Sequence, residues 1–166
     1  MKTTKTVRVC FVCLGNICRS PLAHGVFEAL VDRQGLAGKI LTDSAGTGAW
    51  HVGEPADSRM SETAMKKGVI LNSRARQFTP GDFKRFDLVI AMDRINLDSL
   101  RSICPTGEAG EKLKLFRSFD PVKGNGLDVP DPYYGGANGF DTVFHIVNRT
   151  CPNILDYVKK RFSLSP

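Results

Sequence analysis

No apolar run in this sequence is long enough to cross a bilayer, which takes about 20 residues. The opening stretch, Met1 to Thr6, is short and polar where a signal peptide would carry an apolar core. These absences set the expectation of a soluble, cytoplasmic protein with no membrane attachment. Cysteines are too scattered for a secreted disulfide framework: the five, Cys10, Cys13, Cys18, Cys104 and Cys151, are odd in number and spread along the chain. Cys10 and Cys13 have the spacing of half a zinc site or a redox pair, but no second pair or histidine cluster completes four ligands, so neither metal nor cofactor is expected. The histidines, His24, His51 and His145, read as helix-face or surface residues. A Gly-Lys-Ser/Thr ending is missing, which leaves ATP or GTP binding without support. Lys and Arg give a formal charge of +6 that would gather anionic substrates, yet they are spread along the chain rather than clustered with aromatics, so no nucleic acid is expected. Asn148-Arg149-Thr150 matches a glycosylation acceptor, but without an export signal it carries no meaning. With 166 residues and 42% hydrophobic content, the chain can bury one core and is too short for two. A single domain over residues 1–166, acting as a monomer, is the expectation.

What is present centres on Val9 to Pro21, V-C-F-V-C-L-G-N-I-C-R-S-P. Val7, Val9 and Phe11 alternate with Arg8, Cys10 and Val12, which predicts a buried strand ending near Cys13. A glycine-containing loop follows, then a helix with Ser20 expected as its N-cap, Pro21 at its first position and an apolar stripe of Leu22, Val26 and Leu30. A loop between a strand and a helix N-terminus points backbone N–H groups and the positive end of the helix dipole into one small space, which suits a phosphate. Gly15 is expected to let the loop curl tightly. Arg19 adds a planar fork of donors matching two phosphoryl oxygens. Cys13 opens the loop, where the same positive groups favour thiolate and should lower its pKa from the free value of ~8.5. The five residues between Cys13 and Arg19 are about enough to wrap one tetrahedral oxyanion. Phosphoryl transfer to sulfur is the chemistry this suggests. Cys13 and Cys18, at the two ends of the loop, could also close a reversible disulfide that protects the thiolate.

Further along, Lys39 to Thr42 reads as a strand and Asp43 to Gly48 as a turn-rich loop; Trp50 after it is expected to line a cleft. Asp57 or Ser58 caps a helix through Met60, Ala64 and Met65 that stops at Gly68. Val69 to Leu71 reads as a short extended segment, and Arg74 and Arg76 read as a solvated basic face, with an anion-facing role as the alternative. Phe86 to Met92 is the strongest buried strand, Asp93 opens a helix that ends near Cys104-Pro105, and Lys112 to Phe116 is the last strand. Asp120 to Gly139 is too rich in Pro and Gly for a regular element and reads as a stiff, functional loop. From Phe140 a helical period runs almost to the end, with Pro152 expected to kink or divide it. Four strands alternating with helices predict an α/β fold: a single-domain three-layer sandwich. Its twisted parallel four-stranded sheet would carry helices on both faces and the phosphate-binding loop after the first strand.

A phosphate ester departs slowly unless its bridging oxygen is protonated, so a partner acid is needed. Asp131, held between Pro130 and Pro132, is the candidate, with Asp128 and Asp120 as rivals; Tyr133 and Tyr134 could wall a slot for an aromatic ring. C-L-G-N-I-C-R-S-P closely resembles the signature loop of low-molecular-weight protein tyrosine phosphatases, and Asp131-Pro132-Tyr133-Tyr134 resembles their acid-bearing D-P-Y-Y segment. Similarity also runs through Asp43 to Thr47, Ser73 to Gln77 and Ala91 to Asp93. The resemblance implies Cys13 as nucleophile, Arg19 as phosphate clamp and Asp131 as general acid, with Ser20 donating to the thiolate and Asn16 shaping the loop. Leu14, Gly15, Ile17 and Cys18 would complete the substrate-binding loop, with phosphotyrosine proteins and inorganic phosphate as ligands. At Ser73, where many members carry a His that steadies the loop through the Asn, this chain offers a small hydroxyl. Related arsenate reductases add a nearby pair of resolving cysteines that Cys104 and Cys151 do not form, and protein arginine phosphatases typically have Thr where this loop has Ile17. A non-catalytic phosphoprotein-binding module would not need both Cys13 and Asp131.

Overall fold

The structure, a computed structural model, describes all residues except 1–4, 106, 108, 109, 123, 125, 134 and 137. Strands β1 (Val7–Cys13), β2 (Ile40–Gly46), β3 (Leu88–Ala91) and β4 (Leu113–Leu115) form one parallel sheet in the order β2-β1-β3-β4. Helices α1 (Arg19–Arg33), α2 (Ser58–Lys66), α3 (Asp82–Arg85), α4 (Arg94–Ile103) and α5 (Asn138–Arg161) connect and cover it.

The alternation along β1 decides the layering. Val7, Val9, Phe11 and Cys13 point into a core shared with α1 and α5, whereas Cys10 and Val12 point into a second core with Phe78, Phe83 and Leu100. Phe11 sits fully buried, edge-on to Phe27 of α1 at 5.5 Å and to Phe116 at 6.0 Å. Truncating such a residue to Ala costs about 3–5 kcal/mol, so Phe11 anchors β1 on its inner face. In register, Cys13 lies beside Gly46 and Val12 beside Ala91, which gathers the carboxyl ends of three strands at one edge. Because β1 leads to β2 on one side and borders β3 on the other, a crevice opens outside its carboxyl end, where ligands of open α/β sheets bind. Among the described residues no helix is long and apolar enough to cross a membrane.

The local departures from the sequence reading have identifiable causes. β2 runs on to Gly46 instead of ending at Thr42, since Ser44 and Ala45 are buried against Phe11 and Val12 of β1 and the ladder continues through turn-forming residues. Helix α1 starts at Arg19, with Cys18 as its N-cap and no side-chain cap. Ser20 is therefore not the cap: it is fully buried within the first turn, where Pro21 is also tolerated because its missing N–H would have no helical partner. Val69 to Leu71 forms no strand, and the short α3 was not foreseen. α5 is a single 24-residue helix, not divided at Pro152. Its buried face continues through Val147, Cys151, Ile154 and Val158, and burial on both sides of the proline outweighs the ~3 kcal/mol a helix-interior proline costs.

Candidate active site

At the carboxyl end of β1, a cavity of about 340 Å³ is lined by Cys13, Leu14, Gly15, Ile17, Cys18, Arg19, Trp50, His51, Asp131 and Tyr133. Asn16 and Ser20 lie beneath its floor, 1% and 0% exposed. Tyr134 falls outside the described residues.

The loop from Cys13 to Arg19 is shaped by the side chain under it. Asn16 adopts φ 58°, the left-handed conformation that Asn tolerates better than most residues. Its Oδ1 accepts the Arg76 backbone N–H at 3.0 Å and its Nδ2 donates to Ser20 Oγ at 2.8 Å. Thus the tight bend belongs to Asn16. Gly15 instead makes room for its neighbour, since a Cβ there would come within 3.0 Å of the His51 ring. Gly46 is required from the other side, because a Cβ on it would lie 2.8 Å from the Leu14 carbonyl oxygen and 3.2 Å from the Asn16 nitrogen. Thr47 and Gly48 donate backbone N–H bonds to the Cys13 and Leu14 carbonyls at 2.8 and 2.9 Å, which turns these carbonyls away from the cavity. The N–H groups of Leu14 through Cys18 donate to no other described group of the chain. Unpaired backbone donors along a loop at the start of a helix are what an anion cradle requires.

Cys13 Sγ lies 3.0 Å from Ser20 Oγ. Since Asn16 already donates to that oxygen, the Ser20 proton is left for Sγ or for the more distant Ala45 carbonyl at 3.3 Å. Arg19, 3% exposed, donates to Asp93 at 2.6 Å and to the Val129 carbonyl at 3.0 Å, while its other terminal nitrogen stands 3.5 Å from Asp131 Oδ2. Burial works against its charge, but Cys13, Asp93 and Asp131 outweigh it and hold the guanidinium cationic. Burial also pushes the Cys18 thiol well above its ordinary pKa. Cys13 and Cys18 are both free thiols.

Asp131 does initiate a turn, with Oδ1 accepting the Tyr133 N–H at 3.0 Å, and its other oxygen faces Arg19. Its rivals as the acid are engaged elsewhere and do not line the cavity. Asp120, 2% exposed, is clasped by Arg149 and Arg117; burial disfavours its charge, but these partners and the Val122 N–H draw its pKa down to about 2. Asp128 is paired with Arg94 at 3.2 Å, which holds its carboxyl below the usual range. Both tie down the segment that ends at Asp131, as do the Val129 N–H to the Met92 carbonyl and the Arg117 bond to the Asp128 carbonyl.

Two residues, Arg76 and His51, are placed differently from the sequence reading. Arg76 is not a solvated basic residue: half-buried, it bridges Asp43 at 3.0 Å and the fully buried Asp82 at 3.1 Å. Ser73 makes no hydrogen bond with Asn16 and lines a separate hollow with His24. His51, read as a surface residue, forms part of the cavity wall, with Nδ1 2.7 Å from Glu54 and its ring 6.2 Å from that of Tyr133. Only its place beside Trp50, already expected at a cleft, could have signalled this. Arg59 was not singled out either; its guanidinium lies over the Tyr133 and Phe140 rings at 5.4 and 4.8 Å while pairing with Asp57, whose backbone N–H bonds the Ile17 carbonyl at 2.7 Å. Among the described residues, no group of three or more His, Cys, Asp or Glu side chains is arranged for a metal.

The family model for low molecular weight phosphotyrosine protein phosphatases matches residues 8–164. The chain belongs to that family. A low molecular weight protein-tyrosine-phosphatase of Streptomyces coelicolor is 48% identical over 157 residues, covering 94% of this chain and 96% of the relative. Among solved structures, a protein tyrosine phosphatase of Entamoeba histolytica with Hepes in its active site superposes with a TM-score of 0.89 at 37% identity, covering 94% and 99% of the two chains. A Drosophila arginine phosphatase superposes at 0.84 with 31% identity, covering 91% and 97%. This low molecular weight phosphatase thus shares its fold and its length with these relatives.

Proposed function

We propose that this phosphatase hydrolyses phosphotyrosine in proteins through a phosphocysteine intermediate, with Cys13 as nucleophile, Arg19 as phosphate clamp and Asp131 as general acid and base. The observation that carries the reading is convergence. A sulfur, a buried guanidinium and a carboxyl from a segment more than a hundred positions away in sequence meet at one cavity of about 340 Å³. The phosphate dianion occupies the N–H cradle of Leu14 to Cys18, with Arg19 on two of its oxygens. Cys13 Sγ attacks phosphorus in line; the P–S bond forms as the bond to the phenolic oxygen breaks, and Asp131 in its acid form gives its proton to that oxygen. Asp131, now ionised, takes a proton from water as the water oxygen attacks phosphorus. Inorganic phosphate leaves and the thiolate is restored. The cradle and Arg19 face the equatorial oxygens in both steps, so developing charge meets preorganised donors.

Leu14, Ile17, Trp50 and Tyr133 give the cavity apolar and aromatic walls suited to a phenyl ring. Hepes in the Entamoeba site supports an oxyanion-binding role for the same position of the fold. We expect the protein to act as a cytoplasmic monomer. Steady-state hydrolysis of p-nitrophenyl phosphate by wild type, Cys13→Ser and Asp131→Asn tests the scheme. Cys13→Ser should be inactive, and Asp131→Asn should lose about 10²–10⁴-fold in kcat; substantial turnover by Cys13→Ser would refute the mechanism. The Drosophila relative makes phosphoarginine the alternative substrate, and parallel assays on phosphotyrosine and phosphoarginine peptides separate the two. Apolar Ile17 in the wall favours the aryl group.

A further inference from the structure

Leu14 and Trp50 each line two depressions: the cavity that holds Cys13 and a second, open groove of about 480 Å³. The groove continues over Phe78 and Pro80 to Ser102 and Ile103 at the end of α4. Its walls carry no ionisable side chain, in a chain with 23 Lys and Arg and 17 Asp and Glu. Much of what it presents is apolar surface facing water, with Trp50 72%, Leu14 40% and Ile103 38% exposed. Three of the polar side chains at its edges already donate within the protein: Gln77 Nε2 to the Thr47 carbonyl, Thr79 Oγ1 to Asp82 and Ser102 Oγ to the Ser99 carbonyl. Gly48 sets the partition between the depressions, since a Cβ on it would fall 1.7 Å from the Trp50 ring; the indole rests directly on that backbone.

We propose that this groove is a substrate subsite that accepts an apolar side chain flanking the phosphotyrosine of a protein substrate. The inference rests on the phosphatase reading above and extends it to sequence preference. Continuity with the catalytic cavity through Leu14 and Trp50 identifies the occupant: a peptide whose phosphotyrosine ring lies against one of these residues continues past them. Each extended residue advances about 3.3–3.6 Å, so a side chain one to three positions away reaches the groove. An acidic neighbour, which the +6 charge of the whole chain would otherwise favour, finds no cation there. An aliphatic or aromatic one covers exposed apolar surface and needs no hydrogen-bond partner.

The test compares kcat/KM for phosphotyrosine peptides carrying Leu, Asp or Lys at each of the three positions on either side, in wild type and Ile103→Asp, with p-nitrophenyl phosphate as a substrate too small to reach the groove. Leu at one of these positions should raise kcat/KM about tenfold over Asp, mainly through KM, as expected for burying much of one aliphatic side chain. Ile103→Asp should erase that preference and leave p-nitrophenyl phosphate turnover unchanged. A flat or acid-preferring profile at every position, or a preference for Leu that survives in Ile103→Asp, would overturn the subsite while leaving the catalytic reading intact. Absence of p-nitrophenyl phosphate turnover by wild type would overturn both.

Discussion

Ser20 links the loop to the sulfur: its Oγ receives the Asn16 amide and lies 3.0 Å from Cys13 Sγ, with the Ala45 carbonyl at 3.3 Å as the other acceptor for its proton. A hydrogen bond to a charged sulfur contributes about 1.5–3 kcal/mol, so Ser20→Ala should lower kcat by roughly ten- to a hundredfold, and, because the buried Asn16 amide loses its acceptor, it should also lower the thermal midpoint by several degrees. Stopped assays with an aryl phosphate, alongside thermal melts, check this. At this scale the sequence was legible where residue type and spacing agreed with a family resemblance: Cys13, Arg19 and Asp131 were proposed on both grounds, and the structure brings the three to one cavity. The roles of Asn16 and Gly15 were less visible, because which residue takes a positive φ depends on what packs under the loop, here the Arg76 backbone and the His51 ring.

Between elements, the segment carrying Asp131 is fastened by arginines from three places: Arg94 at the start of α4, Arg117 after β4 and Arg149 on α5. These clamps differ in strength. The Arg94–Asp128 pair is solvent-exposed and contributes little, whereas Asp120 is 1% exposed in its side chain and held by two guanidinium groups. Its pKa falls from an ordinary 3.8 to about 2 on folding. Between these values the unfolded chain binds more protons than the folded one, so stability rises with pH through that window and is lost as pH falls through it. The contribution above pH 4 is about 2 kcal/mol. Thermal unfolding from pH 5 down to pH 2 should therefore show a falling midpoint whose slope is reduced in Asp120→Asn, a variant already destabilised at pH 5; an unchanged slope would remove Asp120 from this role. None of these pairings was readable from sequence. Asp and Arg are common at turns, and which arginine reaches which carboxylate is set by the packing of α5 across the sheet.

For the molecule as a whole, hydrophobic alternation and the order of strands and helices were sufficient to give a parallel four-stranded α/β sandwich, because a buried strand and an amphipathic helix each have one dominant period. What escaped were the places where burial overrode local preference: β2 extending through turn formers and α1 opening before Ser20; of the two outcomes expected at Pro152, division of α5 does not occur. The fold brings a cradle from the end of β1 under a carboxyl from the loop before α5, and the proposed chemistry depends on that meeting at a single sulfur. Acid-quenching the enzyme during turnover of an aryl phosphate, followed by mass mapping of the peptides, measures it most directly. A phosphoryl group on Cys13 in wild type, accumulating further in Asp131→Asn and absent in Cys13→Ser, is the predicted result. Turnover with no phosphoryl group on Cys13, or with one on another residue, would contradict the account.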